Sequence, residues 1–304
     1  MSDLHLPFWP PHAPHHLWVP ETHLYRNVEV AAMRFPRKPF VIFYDNEITY
    51  ADFQRETELV AGYLQQRLGV KKGDRVLLYM QNSPQFMIAF YGILRADAVV
   101  VPINPMNLTQ ELAHYVHDSG AHVAFAAQEL LPRITPLLAE GLEHIVVATY
   151  SDYLRQATDL LMPEFVAAPR APLNRQGLVA WADMLAAASA PRAIEAGPDD
   201  LAVMPYTSGT TGHPKGCMHT HRSVMFNAAG CWGTANQGSV GLAVLPLFHV
   251  TGMQTNMNGA IYNAATVVLL PRWDRDAAAL CVQRHRITGL ALITAMVIDF
   301  MSNP

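Results

Sequence analysis

Charge and cysteine are both scarce in this sequence. Only 15% of its 304 residues are charged, and the formal net charge is -4 at pH 7. Such a chain carries no field that would gather nucleic acid or an anionic membrane, so both partners are disfavoured. Its three cysteines, Cys217, Cys231 and Cys281, form no CxxC pair and no even-numbered framework. That excludes a disulfide scaffold and points to free thiols in a reducing compartment. The richest apolar stretch, GLALITAMVIDFM, is too short to span a bilayer and carries Asp299. The first residues, MSDLHLPFWPPHAPHH, have an early Asp, several prolines and no apolar run, so they do not read as a signal peptide. A cytoplasmic protein without a transmembrane segment is the expectation.

Apolar residues, by contrast, make up 51% of the chain, enough for a substantial core. From Phe40 onward their spacing alternates between strand and helix. FVIFYDNEITY reads as two strands around a turn at Asp45-Asn46, followed by a helix that stops near Gly69. DRVLLYM, AVVVPINP, AHVAFAA and HIVVAT read as strands, with helices between them; Ser83 and Pro84 open one of these helices. Strands separated by helices of this length predict an α/β fold with doubly wound, mostly parallel sheets. Residues 150–198 break the rhythm and read as a connecting region. The alternation then resumes through LAVMPYT, VGLAVLPL, ATVVLL and GLALIT. The expected layout is an N-terminal arm at 1–39 and a first α/β subdomain over about 70–200. A second, incomplete subdomain would take about 217–304 plus 40–68.

The segment MPYTSGTTGHPKGCMHTH, residues 204–221, does not suit either regular element. Gly209, Gly212 and Gly216 let the backbone turn its N–H groups inward, a concave cradle for phosphate oxygens. Thr207, Ser208, Thr210 and Thr211 add neutral donors, and Lys215 adds a cation. Placed between a strand and a helix, such a loop is a natural anion site. The Walker A pattern GxxxxGK[ST] can be laid over it from Gly209 to Lys215. Pro214 then replaces the second glycine and Gly216 the hydroxyl residue, so a P-loop NTPase is disfavoured.

YTSGTTGHPKG, Tyr206 to Gly216, resembles the signature loop of the adenylate-forming superfamily, whose members include acyl-CoA synthetases, peptide-synthetase adenylation domains and beetle luciferases. PLFHVTG (246–252), VVVPINP (99–105) and ATVVLLPRWD (265–274) are similar to further segments of the fatty-acid–CoA ligase branch. The resemblance implies the adenylate-forming N-terminal domain fold and a two-step reaction. A carboxylic acid attacks the α-phosphate of ATP to give acyl-adenylate and pyrophosphate, and coenzyme A then takes the acyl group. It also implies that Thr207, Ser208, Gly209, Thr210, Thr211, Gly212 and Lys215 hold the phosphates. Mg2+ would bridge those oxygens with Thr211 as a ligand, and Lys215 and His249 would act in catalysis. Phe248, His249 and Gly252 would line the acid pocket, with His249 orienting the substrate rather than acting as a base. Taken without the family, a lone His beside Phe248 is more often a core residue.

Relatives in that superfamily continue into adenine, ribose and lysine segments and a C-terminal lid domain that this sequence does not contain. The expectation is therefore a piece of a longer enzyme or a truncated product, with little turnover of its own. A non-catalytic nucleotide- or acyl-binding module and an adenylation domain serving a carrier protein are the alternatives. A homodimer is left open. Two positions depart from the family pattern: Asp97 stands where glycine is common, and Ile293-Thr294 where Val-Pro is common. His5, His12, His15, His16 and His23 lie in the proline-rich arm without a second ligand cluster, so a metal site there is disfavoured. His219, His221 and Cys217 read as structural or packing residues, and KKGDR (71–75) as a solvated turn.

Overall fold

The computed structural model describes residues 6–9, 15–207, 214–231 and 236–302. Two mostly parallel sheets dominate it. Across the larger, the strands follow the order His219–Thr220, Leu201–Val203, Val99–Pro102, Arg75–Tyr79, Val123–Ala127, His144–Ala148 and Leu178–Ala180. All of its pairings are parallel except that of His219–Thr220 with Leu201–Val203. The smaller sheet runs Gly289–Leu290, Val240–Ala243, Thr266–Leu269, Pro39–Phe43 and Asn46–Thr49, antiparallel only at the last pair. This is the α/β, doubly wound architecture that the alternation predicted.

Helices cover the larger sheet, which is why its central strands read as unbroken apolar runs. The helix Pro84–Arg95 is buried at every position, and it starts as the sequence suggests. Ser83 Oγ accepts from the Phe86 amide at 3.1 Å, and Pro84 occupies the first turn, where no N–H is missed. The helix Tyr50–Gln66 packs against it and is capped by Thr49, whose Oγ1 accepts from the Asp52 amide at 3.1 Å.

Three expectations are corrected. The hairpin turns at Tyr44-Asp45, both left-handed (φ 46° and 64°), so that Phe43 faces Asn46. Asn46 is instead a buried clamp, its Oδ1 accepting from the Arg155 and Gln156 amides at 2.7 Å each. Residues 150–198 are more than a connection, because Leu178–Ala180 forms the last strand of the larger sheet. Trp181 beside it is buried against Phe125 and donates to Tyr153, which donates in turn to Glu56. The signature segment, finally, is not a strand-to-helix crossing. Tyr206–Thr207 returns antiparallel as Lys215–Gly216, and a further short strand, His219–Thr220, precedes the helix His221–Gly230.

Asp97 shows how a departure from glycine is accommodated. It holds φ 61°, a region that costs a side chain about 1 kcal/mol or more. Its buried carboxylate accepts from the Glu195 and Ala196 amides at 3.1 and 2.9 Å, which offsets that cost.

Candidate functional site

Strands of both sheets end beside one another, and Asn82 joins them. Its Nδ2 donates to the Leu245 and Leu270 carbonyls at 3.1 and 3.3 Å, and its Oδ1 accepts from the Leu247 amide at 2.8 Å. Crevices at the carboxyl ends of parallel strands are the usual ligand positions of α/β sheets. A cavity of about 930 Å3 opens here, between the two-stranded hairpin Tyr206–Thr207/Lys215–Gly216 and the segment after Val240–Ala243.

The hairpin wall contributes Tyr206, Thr207, Pro214, Cys217 and His219. Thr207 pairs with Lys215 and Tyr206 with Gly216. The base of the hairpin is tied to the helix Thr109–Ser119. The Tyr206 phenol donates to Asp118 Oδ2 at 2.6 Å, and its ring lies 4.5 Å from that of Tyr115. Burial, with the Asp118 carboxylate second, pushes that phenol well above its ordinary value, so it remains a donor. The Pro214 carbonyl lies 2.7 Å from His114 Nε2. Behind this wall His221 Nδ1 accepts from the Leu24 amide at 3.0 Å. Burial, with His23 second, holds that imidazole down to about 4.

The opposite wall is a helical stretch that begins at Val250–Gly252, widens into a π turn over Met253–Asn258 and closes as Gly259–Tyr262. His249 caps it, with Nδ1 accepting from the Thr251 amide at 3.2 Å. An acceptor Nδ1 leaves the neutral ring's proton on Nε2, free to donate. Gly252 is needed for a close approach: a Cβ there would stand 2.3 Å from the Pro246 carbonyl oxygen. In the π turn the Gly259 amide reaches back to the Gln254 carbonyl, a winding often found at functional sites.

The expected site residues are distributed unevenly. Thr207, Phe248 and His249 line the cavity. Lys215 is exposed on the hairpin, paired with Thr207 but outside the cavity lining. Gly252 is buried and is not among the residues that line the cavity. Ser208, Gly209, Thr210, Thr211 and Gly212 lie outside the described residues. Cys217 and His219, read from the sequence as packing and structural residues, both line the cavity, and Cys217 Sγ lies 3.9 Å from Thr207 Oγ1. Lys72 of the expected solvated turn pairs with Asp200 at 2.9 Å. Sequence reasoning missed Asn82 and the His114, Tyr115 and Asp118 footing. The 114–118 spacing, which puts His114 and Asp118 on one helix face, was the available signal. Among the described residues no group of three or more His, Cys, Asp or Glu could hold a metal ion.

Comparison with known proteins agrees with the fold. A family model described as AMP-binding enzyme matches residues 28–304. The chain is 28% identical to a long-chain-fatty-acid–CoA ligase of Bacillus subtilis (strain 168), over 97% of the chain and 54% of the relative. It is 32% identical to 4-coumarate–CoA ligase 2 of Oryza sativa subsp. japonica, over 78% of the chain and 42% of the relative. The chain thus spans about half the length of the curated relatives it matches. Among solved structures, the inhibitor-bound N-terminal domain of FACL13 from Mycobacterium tuberculosis superposes with a TM-score of 0.77 at 27% identity, covering 93% of this chain and 66% of that one. A cavity where two parallel sheets end, a Gly/Thr-rich hairpin on its rim and a family match over nearly the whole length lead to one conclusion: the chain belongs to the AMP-binding enzyme family.

Proposed function

We propose that this chain supplies the phosphate-binding and acid-binding part of an AMP-forming acid–CoA ligase, acting in the cytoplasm on a carboxylic acid with a largely apolar body. The observation that carries the proposal is the single cavity bounded by the signature hairpin on one side and by Phe248, His249, Val250 and Met253 on the other. Adenylation needs those two features together. A carboxylate is a poor electrophile until its oxygen becomes part of a good leaving group, and the pyrophosphate that departs needs oriented donors around its growing charge. In this reading the amides and hydroxyls from Thr207 to Gly212, with Lys215, hold the triphosphate of MgATP. The Nε2–H of His249 orients the acid, whose apolar body lies along Phe248 and Met253. Mg2+ arrives with the nucleotide, ligated by its phosphate oxygens, and coenzyme A takes the acyl group afterwards. The names of the curated relatives, fatty-acid and 4-coumarate ligases, support the reaction class.

Calorimetric titration of the chain with MgATP tests the hairpin half of the reading. A charge-assisted hydrogen bond contributes roughly 1.5–3 kcal/mol, so Lys215→Ala is expected to weaken binding by about tenfold or more. Equal affinities for the two proteins would remove the hairpin from the phosphate site.

A further inference from the structure

Gln254 lines the cavity, five positions after His249 on the same helical wall. It is the end of a buried relay. Its side-chain oxygen accepts from Asn258 Nδ2 at 3.1 Å, and Asn258 Oδ1 accepts from the Tyr91 hydroxyl at 2.8 Å. Tyr91 and Asn258 are completely buried. Burial pushes the Tyr91 phenol far above its ordinary value, so the hydroxyl keeps its proton.

The direction of the relay follows from where that proton goes. Among the described residues Asn258 is the hydrogen-bond partner of the Tyr91 hydroxyl. A phenol that only accepted would leave a buried O–H unmet, at a cost of about 1–3 kcal/mol. The Asn258 oxygen therefore faces Tyr91, its NH2 faces Gln254, and the Gln254 oxygen is taken. What remains is the Gln254 NH2, a donor that no described side chain or backbone group accepts from. It stands on a wall otherwise built from Phe248, His249, Val250, Thr251 and Met253.

We propose that Gln254 selects acids that carry a hydrogen-bond acceptor on their body, such as a keto, ether or hydroxyl oxygen, over plain alkyl acids of equal length. This rests on the acid-binding reading above, with the carboxylate near His249 and the body of the acid running past Gln254. An alkyl segment there would strip water from the Gln254 amide without replacing it, whereas an oxygen would satisfy it.

The test is equilibrium binding of matched acids to the purified chain, an unsubstituted alkanoic acid against keto and ether isosteres of the same chain length. One neutral hydrogen bond corresponds to an expected preference of about fivefold for the oxygenated acids. Gln254→Met should erase that preference, with Gln254→Leu as a second variant of the same wall. Tyr91→Phe, which releases the relay without touching the wall, should narrow it. Equal binding of both acid classes by the unaltered chain overturns the inference, as does a preference that survives in the Gln254 variants. So does a Gln254→Met variant that weakens every acid alike, since that result assigns the amide to the carboxylate. If no acid of either class binds, the acid-binding reading itself fails and takes the inference with it.

Discussion

The hairpin wall of the cavity rests on ionisable side chains, the helical wall, apart from its His249 cap, on neutral ones. Tyr206 leans on the exposed Asp118 carboxylate, Pro214 meets His114, and the helix behind the hairpin starts at a buried imidazole, His221. Across the cavity, Asn82 clamps the strand ends and the Tyr91–Asn258–Gln254 relay fixes the helix, with Asn82, Tyr91 and Asn258 fully or almost fully buried. Hydrogen bonds among buried neutral groups change little with pH or salt, while bonds to exposed carboxylates are screened and weak. The comparison assigns the two walls different tasks. Under the proposed function, the helical wall would keep a constant shape for the body of an acid, and the hairpin wall would adjust around a charged ligand.

The largest expected effect lies on the neutral side. Asn82→Leu leaves the Leu245 and Leu270 carbonyls and the Leu247 amide without their partner. At about 1–3 kcal/mol for each unmet buried group, the loss should be roughly 3–5 kcal/mol, allowing for relaxation. Urea unfolding measures it directly. A loss below about 1 kcal/mol would mean that the two sheets stay aligned without the bridge, and that the contrast between the walls is overstated.

How far this contrast could be seen in the sequence depends on the interaction involved. Strand–helix alternation and the Ser83 cap are local patterns, and the structure follows them. The strand Leu178–Ala180 is three residues long in an alanine-rich stretch, too short to show a period of two. Two-residue strands such as Lys215–Gly216 carry no periodicity at all, which is why the hairpin read as a crossing to a helix. Asn46 carried a turn signal but serves as a buried clamp, because amide side chains suit either role. Asn82 is legible least of all: its partners lie more than 160 positions away, and nothing in its neighbours announces them. In the site, the motif marked the hairpin and the Phe248-His249 pair, while the footing on His114, Tyr115 and Asp118 required the fold.

Acid should act on the hairpin side first. His221 has its imidazole held down to about 4 by burial, against an ordinary value near 6.5. Between those two values the unfolded chain binds a proton that the folded chain refuses, so stability falls as pH drops from about 6.5 toward about 4 and is unaffected by this group above 6.5. His23, Asp200 and Lys72 are the charged or titratable neighbours that modulate the shift. The full effect is at most roughly 3 kcal/mol. His221→Asn retains an acceptor for the Leu24 amide without titrating, so its stability should lose less over the same range. Identical pH profiles for the two proteins would clear His221 of this role.

The smallest effect on stability is expected at Tyr206. Tyr206→Phe keeps the ring against Tyr115 and removes only the bond from the phenol to Asp118, whose carboxylate is exposed and can turn to water. A change under about 1 kcal/mol is expected in unfolding. Its value lies in a second measurement. If the base of the hairpin positions the donors around the phosphates, loosening it should weaken MgATP binding by about threefold, an effect of the same order as the stability change. The same substitution should leave acid binding at the helical wall untouched. A variant with undiminished nucleotide affinity would show that the hairpin is positioned by its own backbone pairing, Thr207 with Lys215, and that its ionisable footing adds nothing to the site.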